Sequence, residues 1–339
     1  MKKRVFTKDD RFNVWRLAKM HVHVSDLIFY QIFVHLGTAH LMSEPLALAV
    51  YNCLIAKRRD QTDLSKEKEP NILGKVLGPY AHGLLGINHL GLITIVDEQL
   101  ALIDSVFAGG SDALLKSSGK YLKTNYTLGG MDPNKDLEKR GFSPKDADSK
   151  DFGYAYYSKR LFAIIKDYMT DVVKTIYPND KAVQADVDIQ MLQGALQEFP
   201  LGMKLNTIEG LVEFAACHMW TLTAFHSISF SIQDYDAYIP FRFSGLTKPL
   251  PLDPALDESI NNTYVQESLP FSSKQLVNHV LLGAVGTRME TTLLETENPF
   301  NKEEHPELFK HYKHFHNKLQ KFEDDYEKDM EELKKKGKM

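Results

Sequence analysis

Cysteine is scarce in this chain: Cys53 and Cys217 are the only two among 339 residues. Two cysteines cannot build a disulfide framework, so the disulfide-stapled class of scaffold is excluded. No run reaches the roughly 18 apolar residues of a membrane span. Charge of one sign is not in excess either, because 41 basic and 45 acidic residues leave a net charge of −4. The sequence therefore offers no electrostatic basis for nucleic acid as a main partner.

The N-terminus turns acidic at Asp9 and Asp10, where a secretory signal peptide would carry its apolar core. We therefore expect a cytoplasmic location. What the chain does contain is typical of a globular protein, with 43% hydrophobic and 25% charged residues. These proportions exclude disorder or a fibre as a description of the whole chain.

Apolar residues recur at spacings of three and four over long windows, which predicts a mainly α-helical fold. We expect one helical domain over residues 1–339, with a helix that begins at a Ser25-Asp26 cap. The predicted helices cover 25–57, 73–94, 98–106, 111–122, 155–176, 182–197, 206–232, 272–285 and 303–334. Three stretches are predicted to be irregular: a polar loop at 58–70, an exposed excursion at 129–151 and a proline-rich strap at 234–254.

Thirteen histidines are present, and three of them lie inside strongly apolar predicted helices: His35, His40 and His226. A lone histidine in such a place is more often a hydrogen-bonded core residue than a metal ligand. Two in one helix and a third in another favour a shared metal site. Five others are expected to be ordinary: His311, His314 and His316 in the polar C-terminal helix should face solvent, and His21 and His23 flank a helix start.

The spacing of His35 and His40 tests the metal hypothesis. Residues five apart in an α-helix differ by about 140° around its axis, so the two rings would diverge. They converge only where the helix widens locally to i→i+5 hydrogen bonding. Gly37 lies between them and makes such a distortion less costly. Three neutral imidazoles suit iron, zinc or copper, and the residues alone do not choose among these metals.

The wider pattern around the two histidines resembles a known family. The helix reads Asp26-x3-Tyr30-Gln31-x3-His35-x4-His40-x3-Glu44-Pro45, similar to the iron-binding helix of lipoxygenases. Ile87-Asn88-His89-Leu90-Gly91 resembles the family's Ile-Asn-x-x-Ala/Gly segment, and Phe225-His226 with the following Gln233 to Pro240 resembles its third-histidine region. The likeness is collinear over about residues 6 to 330.

This resemblance implies a lipoxygenase-like helical catalytic domain with one non-haem iron. In that family the iron removes a hydrogen from a polyunsaturated fatty acid, and O2 adds to the resulting radical. By position, His35, His40 and His226 would be the iron ligands. Gln31 would link the ligands to the substrate cavity. Gly91 stands where the family carries Ala or Gly, and Gly there is associated with R-configured products. Ile95 and Leu102 would line the same cavity.

The chain also departs from the family pattern. Phe230 occupies the position of a fourth ligand and cannot bind metal. The family's terminal isoleucine carboxylate, its N-terminal β-sandwich and the first part of its helical domain are not recognisable, so we expect a domain truncated at both ends. In the family the first part of the helical domain helps to cover the substrate channel. Without it, apolar surface would be left exposed for self-association or for a partner.

Two further functions remain open. A hydroperoxide isomerase, or another O2-using reaction on the same scaffold, would suit iron that rests in the ferrous state. A catalytically inactive protein that binds lipid or a partner would suit the lost ligands. No catalytic residue is predicted beyond the metal centre.

Overall fold

The computed structural model describes residues 4–56, 58–59, 67–91, 93, 110–229, 245–273, 275–277 and 293–337. Helices dominate this part of the chain, which confirms the mainly α-helical fold. The chain divides into two compact units. The first unit contains residues 1–42, 86–125 and 226–288, and the second contains residues 43–85, 126–225 and 289–339. The predicted single domain over 1–339 stays a prediction.

The N-terminal half contains the following elements in order. Helix α1 (Phe12–Phe29) continues into a π-helix, π1 (Tyr30–Leu41), and then into α2 (Ser43–Val50) and a second π-helix, π2 (Tyr51–Ile55). Two short strands, β1 (Arg58–Arg59) and β2 (Glu67–Lys68), pair antiparallel. Helices α3 (Ile72–Gly91) and α4 (Gly110–Asn125) follow.

The rest of the chain is also helical where the structure describes it. A 3-10 turn (Leu128–Met131) leads to α5 (Pro133–Lys139), α6 (Pro144–Ala147), α7 (Gly153–Ile176), α8 (Asp180–Ala185) and α9 (Val187–Ala195). Then come α10 (Ile208–Trp220), a third π-helix, π3 (Thr221–Phe225), a 3-10 turn (Pro254–Ser259), α11 (Asn262–Glu267) and α12 (Pro306–Lys335).

In the first unit, α1 buries one face and leaves the other in solvent. Val14, Leu17 and Met20 recur at spacings of three and pack with Ile260 and Val265. This arrangement ties the N-terminal helix to α11. The helix leads directly into π1, so its packing positions the segment that carries His35 and His40.

The second unit is organised around α7, whose buried stripe includes Phe162 and Tyr168. Tyr168 stacks on Phe315 of α12 with 4.4 Å between ring centroids, and Phe162 meets Trp220 of α10 edge-on. Helix α12 buries only Leu308, Tyr312, Phe315 and Leu319. A charged helix packed by a single face is what its sequence predicts.

Three predictions about local structure are wrong. The first helix begins at Phe12, and Ser25 and Asp26 lie exposed within α1. Polar residues belong on the outer face of an amphipathic helix, so the apparent cap is a surface position in the middle of α1. His21 and His23 also lie in the middle of this helix and do not flank its start. Residues 129–151 are exposed at most of their described positions, as expected, but they are not irregular throughout: they contain α5 and α6, and Leu137 packs there with Ala147 and Ala155.

The third error concerns residues 182–197, predicted as one helix. They are divided between α8 and α9, because Asp186 has extended backbone and its carboxylate caps α9 at the N–H groups of Asp188 and Ile189. Residues 98–106, most of the strap 234–254 and most of 272–285 lie outside the described residues.

Cys53 and Cys217 are both buried. Within the described ranges, no helix combines the length and apolar character that crossing a membrane requires. Apolar side chains are exposed in the first unit, including Phe12 at 75% and Phe271 at 78%. Self-association or a covering partner, and the cytoplasmic location, stay predictions.

Candidate metal centre

The π-helix π1 brings His35 and His40 to the same side of the chain. Over Tyr30–Leu41 the backbone is wound as a π-helix, in which residues five apart lie about one turn apart. The two imidazole centroids are 4.8 Å apart, and the Nε2 atoms are 3.1 Å apart. The widening inferred from the five-residue spacing is thus confirmed. Gly37 is buried, and a Cβ there would lie 3.1 Å from the Ile32 carbonyl oxygen.

His226 supplies the third ring of the cluster. It follows π3 along the chain, at the start of a short helical stretch over 226–229. Its Nε2 lies 3.0 Å from Nε2 of His40, and its ring centroid lies 5.4 Å from that of His35. One potential ligand atom from each of the three histidines lies within 4.8 Å of the others. We call His35, His40 and His226 the histidine triad.

Two side-chain amides contact the Nδ1 atoms of His35 and His40, on the side of each ring that faces away from the triad. His35 Nδ1 lies 2.8 Å from Gln31 Oε1, and His40 Nδ1 lies 2.7 Å from Asn88 Oδ1. An amide oxygen only accepts, so each Nδ1 is the protonated nitrogen that donates. The Nε2 atoms that point toward the centre of the triad therefore carry lone pairs in His35 and His40.

Burial keeps the triad neutral. Removal from water lowers the pKa of His35 well below its usual value, and the neighbouring His40 and His226 lower it further. Burial also lowers the pKa of His40, partly offset by its hydrogen bond to Asn88. The pKa of His226 falls to about 3, again chiefly through burial. All three rings are therefore neutral near pH 7, with one ring nitrogen left free to bind a metal.

The donor set fits a metal ion. Two neutral rings whose Nε2 lone pairs face each other at 3.1 Å repel unless a cation lies between them. The lowered pKa values make a shared proton unfavourable near pH 7. Ligand nitrogens at about 2.1 Å from a metal and about 90° apart are separated by about 3.0 Å. The spacing of His40 from its two neighbours matches that requirement.

Only two of the other predicted site residues, Gln31 and Gly91, belong to the part of the chain that the structure describes. Gln31 is half-buried, and its Nε2 has no hydrogen-bond partner among the described residues. Gly91 is the last residue of α3 and is half-buried. Ile95, Leu102 and Phe230 lie outside the described residues.

Asn88 is the site residue that sequence reasoning missed. It entered only as part of a family-like segment, with no role assigned. The signal for it was an amide in an apolar stretch, since a buried amide must find hydrogen-bond partners. The structure buries Asn88 to 4% exposure, in contact with His40.

Comparisons with known proteins place this chain in a family. The sequence profile described as Lipoxygenase matches residues 1–339. The chain is 28% identical over 255 residues to linoleate 9S-lipoxygenase 1 of Oryza sativa subsp. japonica, which covers 70% of this chain and 28% of that protein. It is 26% identical over 268 residues to the seed linoleate 9S-lipoxygenase of Glycine max, covering 74% of this chain and 29% of that protein.

Solved structures show the same fold. A calcium-dependent 11R-lipoxygenase superposes with a TM-score of 0.80 and 21% identity, covering 95% of this chain and 46% of that one. A fungal lipoxygenase from Fusarium graminearum superposes with a TM-score of 0.71 and 20% identity, covering 96% and 50%. The chain thus spans less than a third of these curated relatives and about half of these solved structures. By its matching profile and its fold, the chain belongs to the lipoxygenase family.

Proposed function

We propose that this chain binds one non-haem iron ion through the histidine triad and inserts O2 into a polyunsaturated fatty acid. The observation that carries the proposal is the convergence of three neutral imidazoles on one point, with the Nδ1 atoms of His35 and His40 directed away toward amide oxygens. Family membership supports iron over zinc or copper, which the same donor set would accept.

The chain's own residues would hold and shape this centre. His35, His40 and His226 offer ring nitrogens that stay unprotonated because they are buried. Gln31 and Asn88 orient the first two rings, so little reorganisation is needed when metal binds. Buried Ile32 and other apolar residues of π1 exclude water beside the histidines. When bound, iron supplies the one-electron chemistry that removes a hydrogen from a bis-allylic carbon.

The choice of product would depend on the cavity wall. We place Gly91, Ile95 and Leu102 along the substrate or oxygen pocket by their positions in the family pattern. A glycine at position 91 leaves room that an alanine methyl would fill, which is a reason of shape for R-configured addition of O2. Gly91 is half-buried at the end of the helix that also carries Asn88.

A second reaction is favoured by one residue. Phe230 stands where the family carries a fourth protein ligand, and its ring cannot bind metal. Without a donor at this position the metal has one ligand fewer to stabilise its trivalent state, so ferrous iron is favoured. Ferrous iron suits the isomerisation of a fatty-acid hydroperoxide. This reaction would use the same triad and the same class of lipid.

One experiment separates these functions. The protein, expressed with iron, is analysed for metal content and then given linoleate or linoleate hydroperoxide in an oxygen electrode cell. The proposal expects near-stoichiometric iron, oxygen consumption with linoleate and an R-configured hydroperoxide by chiral chromatography. Gly91→Ala is expected to shift that product toward the S configuration.

Two histidine variants serve as controls for the metal site. His226→Ala should lose iron and oxygen consumption, whereas His314→Ala, at an exposed position of α12, should retain both. Consumption of the hydroperoxide without oxygen uptake would replace the dioxygenase with the isomerase. Folded parent protein that binds fatty acid without iron would overturn both enzymes in favour of an inactive lipid-binding protein.

A further inference from the structure

Asn88 is bound to His40 at two points. Its Nδ2 donates to the His40 backbone carbonyl oxygen at 3.1 Å, and its Oδ1 accepts from His40 Nδ1 at 2.7 Å. Asn88 lies on α3, 48 positions along the chain from His40, so the folded first unit brings them together. Both bonds are shielded, since Asn88 is only 4% exposed.

These two bonds determine which nitrogen of His40 carries the proton. A backbone carbonyl can only accept, so the NH2 group of Asn88 must face it. The amide oxygen must then face Nδ1 of His40, and that nitrogen must be the protonated one. Nε2 consequently keeps its lone pair toward the other two rings of the triad.

Gln31 does not fix its partner in this way. Its Oε1 meets His35 Nδ1 at 2.8 Å, but its Nε2 is buried without a hydrogen-bond partner among the described residues. Among the described residues, the Gln31 amide thus lacks the second contact that anchors the Asn88 amide. His40 is held both through its Nδ1 and through its backbone carbonyl by Asn88, and its Nε2 lies 3.1 Å from that of His35 and 3.0 Å from that of His226.

We propose that Asn88 is a positioning residue that sets the tautomer and direction of His40 and thereby prepares the triad for a divalent metal. The proposal deepens the proposed iron site and rests on it for its metal-binding part. Asn88 itself does not touch the metal or the substrate. Its effect is transmitted through the His40 ring, as is typical of the residues that orient metal ligands.

Two variants of Asn88 separate positioning from packing. Asn88→Leu keeps the size of the side chain but removes both hydrogen bonds, so His40 is released to carry its proton on Nε2. Asn88→Asp keeps an acceptor opposite Nδ1 and is expected to retain the Nδ1–H tautomer. Asn125→Leu is the matched control, because Asn125 is exposed in the same unit and its Nδ2 also donates to a backbone carbonyl, that of Tyr121.

The first readout needs no metal. Protein labelled with 15N in its histidines is studied by long-range 1H–15N NMR, and the His40 signals are assigned from their loss in His40→Gln. We expect a protonated Nδ1 in the parent, in Asn88→Asp and in Asn125→Leu, and a protonated Nε2 in Asn88→Leu. A protonated Nε2 in the parent, or an unchanged Nδ1–H tautomer in Asn88→Leu, would overturn the proposal.

The second readout uses Co2+, whose visible spectrum reports its coordination. We expect Asn88→Leu to weaken Co2+ affinity by about ten- to a hundredfold and to alter the spectrum, and Asn88→Asp to restore both. Parental affinity and spectrum in Asn88→Leu would overturn the role. If Asn88→Leu does not fold, loss of the Nδ1–H tautomer in Asn88→Asp would overturn it instead. A parent that binds no Co2+ contradicts the proposed metal site, while the NMR result still decides the tautomer.

Discussion

The histidine triad of the first unit and His218 of the second unit are alike in burial and differ in their neighbours. His218 is fully buried, and burial lowers its pKa to about 4. Burial lowers the pKa of His226 to about 3. Both regions thus hold neutral imidazoles in an apolar interior. A depressed pKa alone would rank them as equal candidates for function.

Their hydrogen bonds separate the two regions. Neither ring nitrogen of His218 has a hydrogen-bond partner among the described residues, and its ring stacks on Phe214 at 5.8 Å. In the triad, His35 and His40 donate from Nδ1, and Nε2 atoms of three rings face one another. A metal site is therefore indicated by convergence and by oriented tautomers, whereas burial and pKa describe any core histidine.

The largest expected difference concerns metal content. His40→Leu and His218→Leu make the same chemical change in the two regions. We expect His40→Leu to reduce bound iron from about one ion per chain to background, because two imidazoles rarely retain a metal that three held. We expect His218→Leu to leave the iron content unchanged, as measured by elemental analysis. Equal iron in parent and folded His40→Leu protein would remove the distinction.

Stability against acid is the property in which His218 should have its own effect, although it binds no metal in this comparison. An unfolded histidine has a pKa near 6.5, while the pKa of folded His218 is about 4, so the unfolded chain binds more protons between these values. His218 therefore stabilises the fold fully above pH 6.5, and this contribution decreases as the pH falls toward 4. The total loss is about 3 kcal/mol, from about 1.4 kcal/mol per pKa unit.

His218→Leu should abolish that loss. The free energy of unfolding is measured with urea at pH 7 and pH 4.5 for the parent and the variant. We expect the parent to lose about 2 to 3 kcal/mol more than His218→Leu over this interval. His314→Leu, at an exposed position of α12, should behave as the parent does. An identical loss in parent and His218→Leu would mean that His218 is not a neutral core residue.

Much of the triad could be anticipated because its signals are local. The five-residue spacing of His35 and His40 requires a widened helix if the two rings are to converge, Gly37 makes one less costly, and π1 has that geometry. His226 was a candidate because it too lies in an apolar predicted helix, and the family-like segments added Gln31. Asn88 could not be placed in the same way, because its role depends on a contact between residues 48 positions apart. No periodic pattern encodes that distance.

The errors in the fold have a similar cause. Ser25 and Asp26 look like a cap in sequence, but their exposed positions on α1 are defined only by the packing of Leu17 and its neighbours. Residues 129–151 look irregular because they are rich in glycine, proline and charge, and most of them are exposed. Leu137 is nonetheless buried, since Asp132 caps α5 and the helix turns that leucine inward. The composition of a stretch does not show which single residue of a short helix is buried.

The smallest effect should come from Gln31. Gln31→Leu removes one hydrogen bond, that from His35 Nδ1, and leaves the His35 backbone untouched. Asn88→Leu removes two bonds to His40. Both losses should weaken iron binding within the ten- to hundredfold range, with Gln31→Leu near its lower end. Gln193→Leu, at an exposed position of α9, is the matched control and should leave the affinity unchanged. If Gln31→Leu weakened binding more than Asn88→Leu, the anchoring of His40 through its carbonyl would not be what orders the triad.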